Sequence, residues 1–548
     1  MFLLIDFSFR FYLFIEEKPD TPPEEENKII DFTEGSVLDF DGRVYDTICF
    51  IPKETRTYYF VLENANTVTI RLPDGTGKSF LKDSFNYSFV AGETYLITYS
   101  KNAYITTLRL RETDIFDSEI LPDGTIRIRY YMGSENNLPI PSEIGGRSLT
   151  KIGEEMFFLQ NSLTSVKIPS TIRSIEKDAF RSCRNLTEID MSEATSLEYI
   201  GEGAFGYCDS LESITFPSSV KEIGDEALAY CKLLKTVVFG DADIAFGTKT
   251  FYACKNLQNV TLPEGLTSIS DYMFRNCTSL TELKLNGALK EIGYQAFCGC
   301  TGLKTLIFPD SLEEIGEYAF KGCQSIEEIV IPEKVTVISK KSFGDCKSLE
   351  KVCIKGENVK IESDAFSRCY ALEEVVFENS VSKIGMWAFN TCRSLKNIDL
   401  GNGITEIDSF AFEDCTDLIE IILPESLTEI KSSVFSGCSS LKKVTVLGDV
   451  TSIGPYCFKN CISLESINIP QGVSVIGVSA FENTKLNIES LKFTESVEIG
   501  DNAFMGCTGI KSVSIPEYST IGVSAFADNI NLIEVTVGNN SIIGNSAF

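Results

Sequence analysis

From Phe205 to Phe504 a phenylalanine stands at every twenty-third residue for thirteen consecutive steps, broken only by Leu228. Phe157 and Phe180 precede the run, and Phe526 and Phe548 follow it at a spacing of 22. Self-similarity at a fixed period of about 20 to 50 residues leaves few folds open, because each unit is too small to bury its own apolar face. The units must stack on one another. The fold class expected is therefore a repeat solenoid with one continuous core over residues 115–548, about eighteen units in all. Without the repeat, 548 residues would suggest three or four separate domains.

One unit reads Phe297, Cys300, Leu303, Leu306, Phe308, Pro309, Leu312, Ile315, Gly316, Ala319 and then Phe320. Side chains alternate along a strand, so Leu306 and Phe308 enter the core together. Pro309 ends that strand, as Pro217, Pro263, Pro332, Pro424, Pro470 and Pro516 do in their units. Leu312 and Ile315 begin a second inward-facing run, and Gly316 is expected to permit a tight bend after it. Ala319 and Phe320 then set a small residue beside a large one on a short turn or helix. Successive units are expected to join through a parallel ladder about 4.8 Å apart.

The residues Ile467-Asn468-Ile469-Pro470, Val473, Ile476-Gly477 and Ala480-Phe481 follow a pattern that resembles the BspA-like leucine-rich repeats. The stretch from Asp123-Gly124-Thr125 through Ile140-Pro141-Ser142 to Ile152-Gly153 resembles a degenerate first repeat of such an array. The resemblance implies a right-handed coil with a parallel β-sheet on one face. It also implies extracellular adhesion or recognition, of the kind served by surface proteins of host-associated bacteria and some protozoan parasites. Ser311, Lys334 and Glu357 stand where leucine-rich repeats generally place Asn or Cys, so no asparagine ladder is expected there.

Charge narrows the partners. With 49 Lys and Arg against 78 Asp and Glu, the net charge of −29 argues against nucleic acid, whose phosphates need clustered cations. It argues equally against an anionic membrane surface. The chain has no histidine, which removes His-dependent hydrolase sites, His-ligated zinc and the usual general base near neutral pH. A non-enzyme without cofactor or metal is expected. No apolar run approaches 18 residues, so no transmembrane helix is expected.

Fourteen cysteines between Cys183 and Cys507 stand three residues after a column position. A metal array would need paired clusters, and Cys298–Cys300 and Cys457–Cys461 are isolated. A disulfide ladder is open on spacing alone, since neighbouring coils fall within bridging range. Stacked side chains nevertheless point parallel to one another, and Thr484 and Asn529 replace Cys in the same register. Buried reduced thiols, packing as small apolar residues, fit the pattern best.

The first 114 residues lack the beat. Residues 1–15, MFLLIDFSFRFYLFI, read as a candidate signal or anchor segment, although Asp6 and Arg10 interrupt it and no A-x-A-like cleavage site follows. An ordinary strand is the other reading. Residues 16–28 form an acidic, Pro-containing linker. Residues 29–114 alternate in short runs at Tyr58–Leu62, Thr67–Arg71, Tyr95–Tyr99 and Tyr104–Leu110, separated by turn residues at Pro73-Asp74-Gly75 and Ala91-Gly92. That pattern suggests a small all-β, sandwich-like domain. The chain stops mid-unit at Phe548, which suggests a fragment or an end capped by a partner.

A ligand-binding face is expected where the strands line the solenoid. The outward positions between paired core residues read Lys284, Ile307, Val330, Cys353, Val376, Asp399, Ile422 and Thr445. Ile307, Val330, Cys353 and Val376 form an apolar stripe rimmed by Glu328, Lys351 and Glu374, the signature of a partner site. Simple β-propensity accounts for the same residues without a partner. The function expected is non-enzymatic recognition or adhesion at the cell surface or in the secreted state, with a protein or glycan ligand on a host surface or matrix. An intracellular, cytoplasmic interaction scaffold is the alternative.

Overall fold

Of residues 1–115, the computed structural model describes those in eleven strands; from Phe116 onward it describes every residue except Met132, Ser134, Asp241 and Ala242. The chain divides into two compact units, Met1–Pro122 with Arg127–Ser134, and Asp123–Ile126 with Glu135–Phe548.

The described strands of the first unit up to Arg111 form two sheets. One orders Val37–Asp39, Phe2–Ile5, Thr107–Arg111, Arg56–Leu62 and Ser84–Phe89, with only the Phe2–Ile5 and Thr107–Arg111 pair parallel. The other orders Lys28–Phe32, Phe11–Glu17, Tyr45–Ile51, Tyr95–Tyr99, Val68–Arg71 and Gly77–Phe80, all antiparallel. Of the four alternating runs read from the sequence, Tyr58–Leu62 and Tyr95–Tyr99 fall wholly on strands, and Val68–Arg71 and Thr107–Leu110 of the other two do so, while Thr67 and residues 104–106 lie outside the described residues. Residues 18–27 of the expected linker, and the turns at 73–75 and 91–92, lie outside the described residues.

In the second unit each turn of the coil has three sides. The first carries the expected strand, as in Glu328–Ile331, Lys351–Ile354 and Glu374–Phe377, paired in parallel at a shift of 23 residues. The second carries a further parallel ladder beyond the single expected face. It is built from short pairs such as Glu291–Ile292 and Glu314–Ile315. The apolar run at Leu312 and Ile315 thus lines a sheet of its own.

On the third side the backbone turns. The N–H of Phe297 donates to the Ala319 carbonyl at 2.8 Å, and that of Phe320 to the Ser342 carbonyl at 2.8 Å. Residues two before and two after the column take positive φ, as at Tyr318 (59°) and Gly322 (75°). This alternation aims every second N–H along the stack, and the bonds it makes offset the roughly 1–2 kcal/mol that a side chain loses in the left-handed region.

The column runs the length of the array with one break, at Leu228. Phe297, Phe320 and Phe343 stack at 5.1 and 5.3 Å between centroids, within 5° of coplanar. At the gap left by Leu228, Phe239 lies edge-on to Phe251 at 6.3 Å. Gly316 acts differently from the expectation. Its φ is not positive, and a side-chain carbon there would lie 2.7 Å from the Gly293 backbone, so close approach of coils rather than a bend requires it.

Candidate functional site

The strand ladder places Val330, Cys353 and Val376 side by side in register, and Glu328, Lys351 and Glu374 likewise. Alternation turns Ile329, Val352 and Val375 into the core and leaves Val330 and Val376 46% and 41% exposed. Ile307 is 74% exposed and Ile422 57%, so the apolar stripe faces solvent. Cys353 is half-buried; its thiol donates to Glu378 Oε1 at 3.2 Å. Burial, then the Glu378 carboxylate, pushes that thiol up. Lys351 Nζ lies 4.0 Å from both Glu328 and Glu374, so the rim charges alternate along the stack without closing into hydrogen bonds.

The stripe is not continuous. Among the described residues, no ladder bond joins Thr305–Phe308 to Glu328–Ile331; the former is held only by a bridge from Thr305 back to Glu282. A cleft of about 500 Å³ opens between the two coils, with Ile307, Phe308, Glu328, Val330 and Pro332 in its wall. Its volume falls within the range of ligand-holding clefts. Proline removes the last bond of this ladder, although before Pro263 three residues still pair with the preceding coil. Where Lys355 and Glu378 follow their strands, their N–H groups donate to Ile331 and Ile354 at 3.1 and 2.9 Å and the ladder runs four residues. Pro332 occupies the equivalent place and has no N–H for the Phe308 carbonyl. The sequence reading placed the stripe but missed the cleft. Its signal was present in prolines after two successive strands, Pro309 and Pro332.

The seventeen described cysteines are free thiols, and those of the column register are buried. They differ in one respect from the small apolar residues expected. Cys323 Sγ donates to the Phe297 carbonyl of the preceding coil at 3.2 Å, and Cys300 and Cys346 repeat the bond to Phe274 and Phe320 at 3.0 and 3.3 Å. Asn529, standing in for Cys, makes the same bond from Nδ2 to Phe504 at 2.7 Å. Burial pushes the Cys346 thiol up to about 12. Among the described residues no group of three or more His, Cys, Asp or Glu could hold a metal ion, and no helix is long and apolar enough to cross a membrane.

Two parallel ladders wound around a stacked aromatic column, with one strand face open to solvent, define a leucine-rich-repeat solenoid. The model of the BspA type leucine rich repeat region matches residues 130–255, 244–373, 359–487 and 441–548, and the chain belongs to that family. A leucine-rich repeat protein from Bacteroides ovatus is 27% identical, over 67% of this chain and 94% of its own, with a TM-score of 0.56. The T. pallidum leucine-rich repeat protein is 31% identical over 35% of this chain and 90% of its own, with a TM-score of 0.34. A leucine rich cell surface protein from Faecalibacterium prausnitzii is 24% identical over 78% and 94%, with a TM-score of 0.29. Among curated proteins nothing matches the chain.

Proposed function

We propose that the protein is a non-enzymatic recognition protein, displayed on the cell surface or secreted, that holds a protein or glycan ligand of a host surface or matrix against its strand-lined face. One observation carries this reading. Ile307 and Val330 are solvent-facing aliphatic residues on opposite sides of a cleft of about 500 Å³, and the stripe continues through Cys353 and Val376. Solvent-facing aliphatic side chains with a rim of alternating charge are costly to leave bare in water and suit the desolvated centre of an interface. Membership of a family associated with surface recognition adds to it.

The test pairs a binding assay with a location assay. The double variant Val330→Glu, Val376→Glu keeps its core and is expected to melt within a few degrees of the parent. Against plates coated with matrix proteins and with mucin glycans, the parent is expected to bind saturably and the variant at least tenfold more weakly. Equal binding by parent and variant removes the face from consideration. Protease shaving of intact native cells is expected to release solenoid peptides; full protection sinks surface display.

A second reading, an intracellular scaffold using the same face, is favoured by the seventeen unpaired described thiols, since oxidising compartments usually convert such cysteines to disulfides. The shaving experiment separates the two.

A further inference from the structure

The turn side of the coils carries a second concavity that the strand face does not explain. The residue after each column phenylalanine lies on this side, and the row reads Lys321, Gly344, Ser367, Asn390 and Glu413, of which the larger three are partly exposed. Two small residues in succession, Gly344 and Ser367, leave a hollow of about 260 Å³ between larger neighbours. That lies just under the roughly 300 Å³ at which small-molecule clefts begin, a size for one ring rather than a chain.

Its wall is chemically unlike the rest of the surface. Trp387, the only tryptophan of the chain, is 36% exposed and lines the hollow. One face of its indole is stacked on Phe410 of the next coil at 5.4 Å, which leaves the other towards the preceding coil. Around it stand Lys321, Lys341 and Arg368 with Asp345 and Asp364, a local excess of one positive charge in a chain of net −29. These charges are only loosely paired. Lys341 and Asp364 lie 3.7 Å apart, Arg368 and Asp345 3.7 Å, and Lys321 and Asp345 3.9 Å. All three exceed hydrogen-bond length. Some inter-coil pairs elsewhere close further, as in Lys221–Glu198 at 2.6 Å and Lys235–Glu212 at 2.9 Å, while others such as Lys290–Glu313 at 3.7 Å stay as open. The groups in the hollow therefore keep donor and acceptor directions unspent.

We propose that this hollow binds a carboxylated pyranose, a sugar unit of the uronic- or sialic-acid class, on the open face of Trp387. A pyranose ring presents a face of C–H groups, weakly positive, which packs on the negative face of an aromatic ring. Its adjacent hydroxyls both donate and accept, which suits planar groups with two in-plane sites such as the Asp364 carboxylate. A ring carboxylate matches the fork of the Arg368 guanidinium, with Lys341 and Lys321 adding charge. A neutral sugar would leave that excess positive charge unanswered. The site lies on the turn side, and its existence does not depend on what the strand face binds.

Because Trp387 is the only indole, its fluorescence reports on this site alone. The intact chain is titrated with glucuronate, N-acetylneuraminate, glucose and galactose, and each titration is repeated by saturation-transfer NMR, which detects binding that leaves emission unchanged. A saturable response to glucuronate or N-acetylneuraminate is expected, at least tenfold stronger than to glucose or galactose; which acid responds distinguishes the two sources. Gly344→Met is expected to abolish the response without lowering the melting temperature. A side-chain carbon at 344 meets nothing nearer than 3.5 Å, and Met505 already occupies the same row. Arg368→Gln is expected to weaken acid-sugar binding at least tenfold, and it serves if Gly344→Met folds poorly. No response to any sugar by either method, equal responses to acidic and neutral sugars, or full binding by both variants overturns the proposal.

Discussion

The column cysteine satisfies two demands in one position, and the residues that replace it show which demand is stricter. Its sulfur is small and apolar enough for the core, yet it also donates to a phenylalanine carbonyl one coil back, as Cys323 does to Phe297. Asn529 keeps the donor, but its Oδ1 is left buried without a partner, a cost of about 1–3 kcal/mol that cysteine avoids. Burial holds Cys346 near 12 in the folded chain, against an ordinary thiol value of 9.0 in the unfolded one. A pKa raised on folding gives stability that is complete below the unfolded value and disappears as pH climbs through the folded one. The melting temperature is therefore expected to fall as pH rises from about 9 towards 12, and Cys346→Ser is expected to make the slope shallower. Thermal melts across that range decide it; a parallel slope in the variant contradicts the assignment. Alkylation followed by mass spectrometry checks the same point in the native state. Of the described thiols, Cys298 and Cys353 are only partly buried and should label first, and the column thiols only in denaturant.

For the elements, a single N–H adds or removes the last bond of a ladder. Pro332 and Lys355 are equivalent positions one coil apart; the first borders a cleft and the second donates to Ile331 at 3.1 Å. Pro332→Ala is expected to extend the ladder, and hydrogen exchange should show slower amides across 306–308 and 329–332. The stability change should be small, since a new hydrogen bond worth about 0.5–1.5 kcal/mol is set against the lost stiffening of the unfolded chain, about 0.4–1 kcal/mol. Unchanged exchange would mean that some other contact holds the cleft open. Gly316→Ala tests the second ladder. The added carbon meets the Gly293 backbone at 2.7 Å, but Ser339 sits in the same row one coil on, so a loss of about 1 kcal/mol is expected in denaturant titration.

In the solenoid as a whole, each coil touches only its neighbours, so stability is a sum of unit and nearest-neighbour terms. Phe343 stacks on Phe320 at 5.3 Å and on Phe366 at 5.6 Å, at the middle of the column. Phe343→Ala removes both contacts, a loss of about 3–5 kcal/mol. The loss is expected to be local, so that limited proteolysis cuts near residue 343 and leaves two resistant halves. Cleavage spread evenly along the array would show instead that the solenoid melts as one cooperative block.

By itself the sequence determined the coil, its period, its core rows and the outward stripe, because stacking identical units forces equivalent side chains into columns and strand alternation fixes which of them face water. Only the tertiary structure decided the rest. That the Leu312 and Ile315 run would form a second ladder, that Cys323 would bond to Phe297, that a cleft would open between Ile307 and Val330 and that Gly344 would leave a hollow beside Trp387 all depend on how one coil meets the next. Those distances belong to the contact between units, and residues 20 or more apart in the chain reveal it only when the backbone has brought them within a few ångströms.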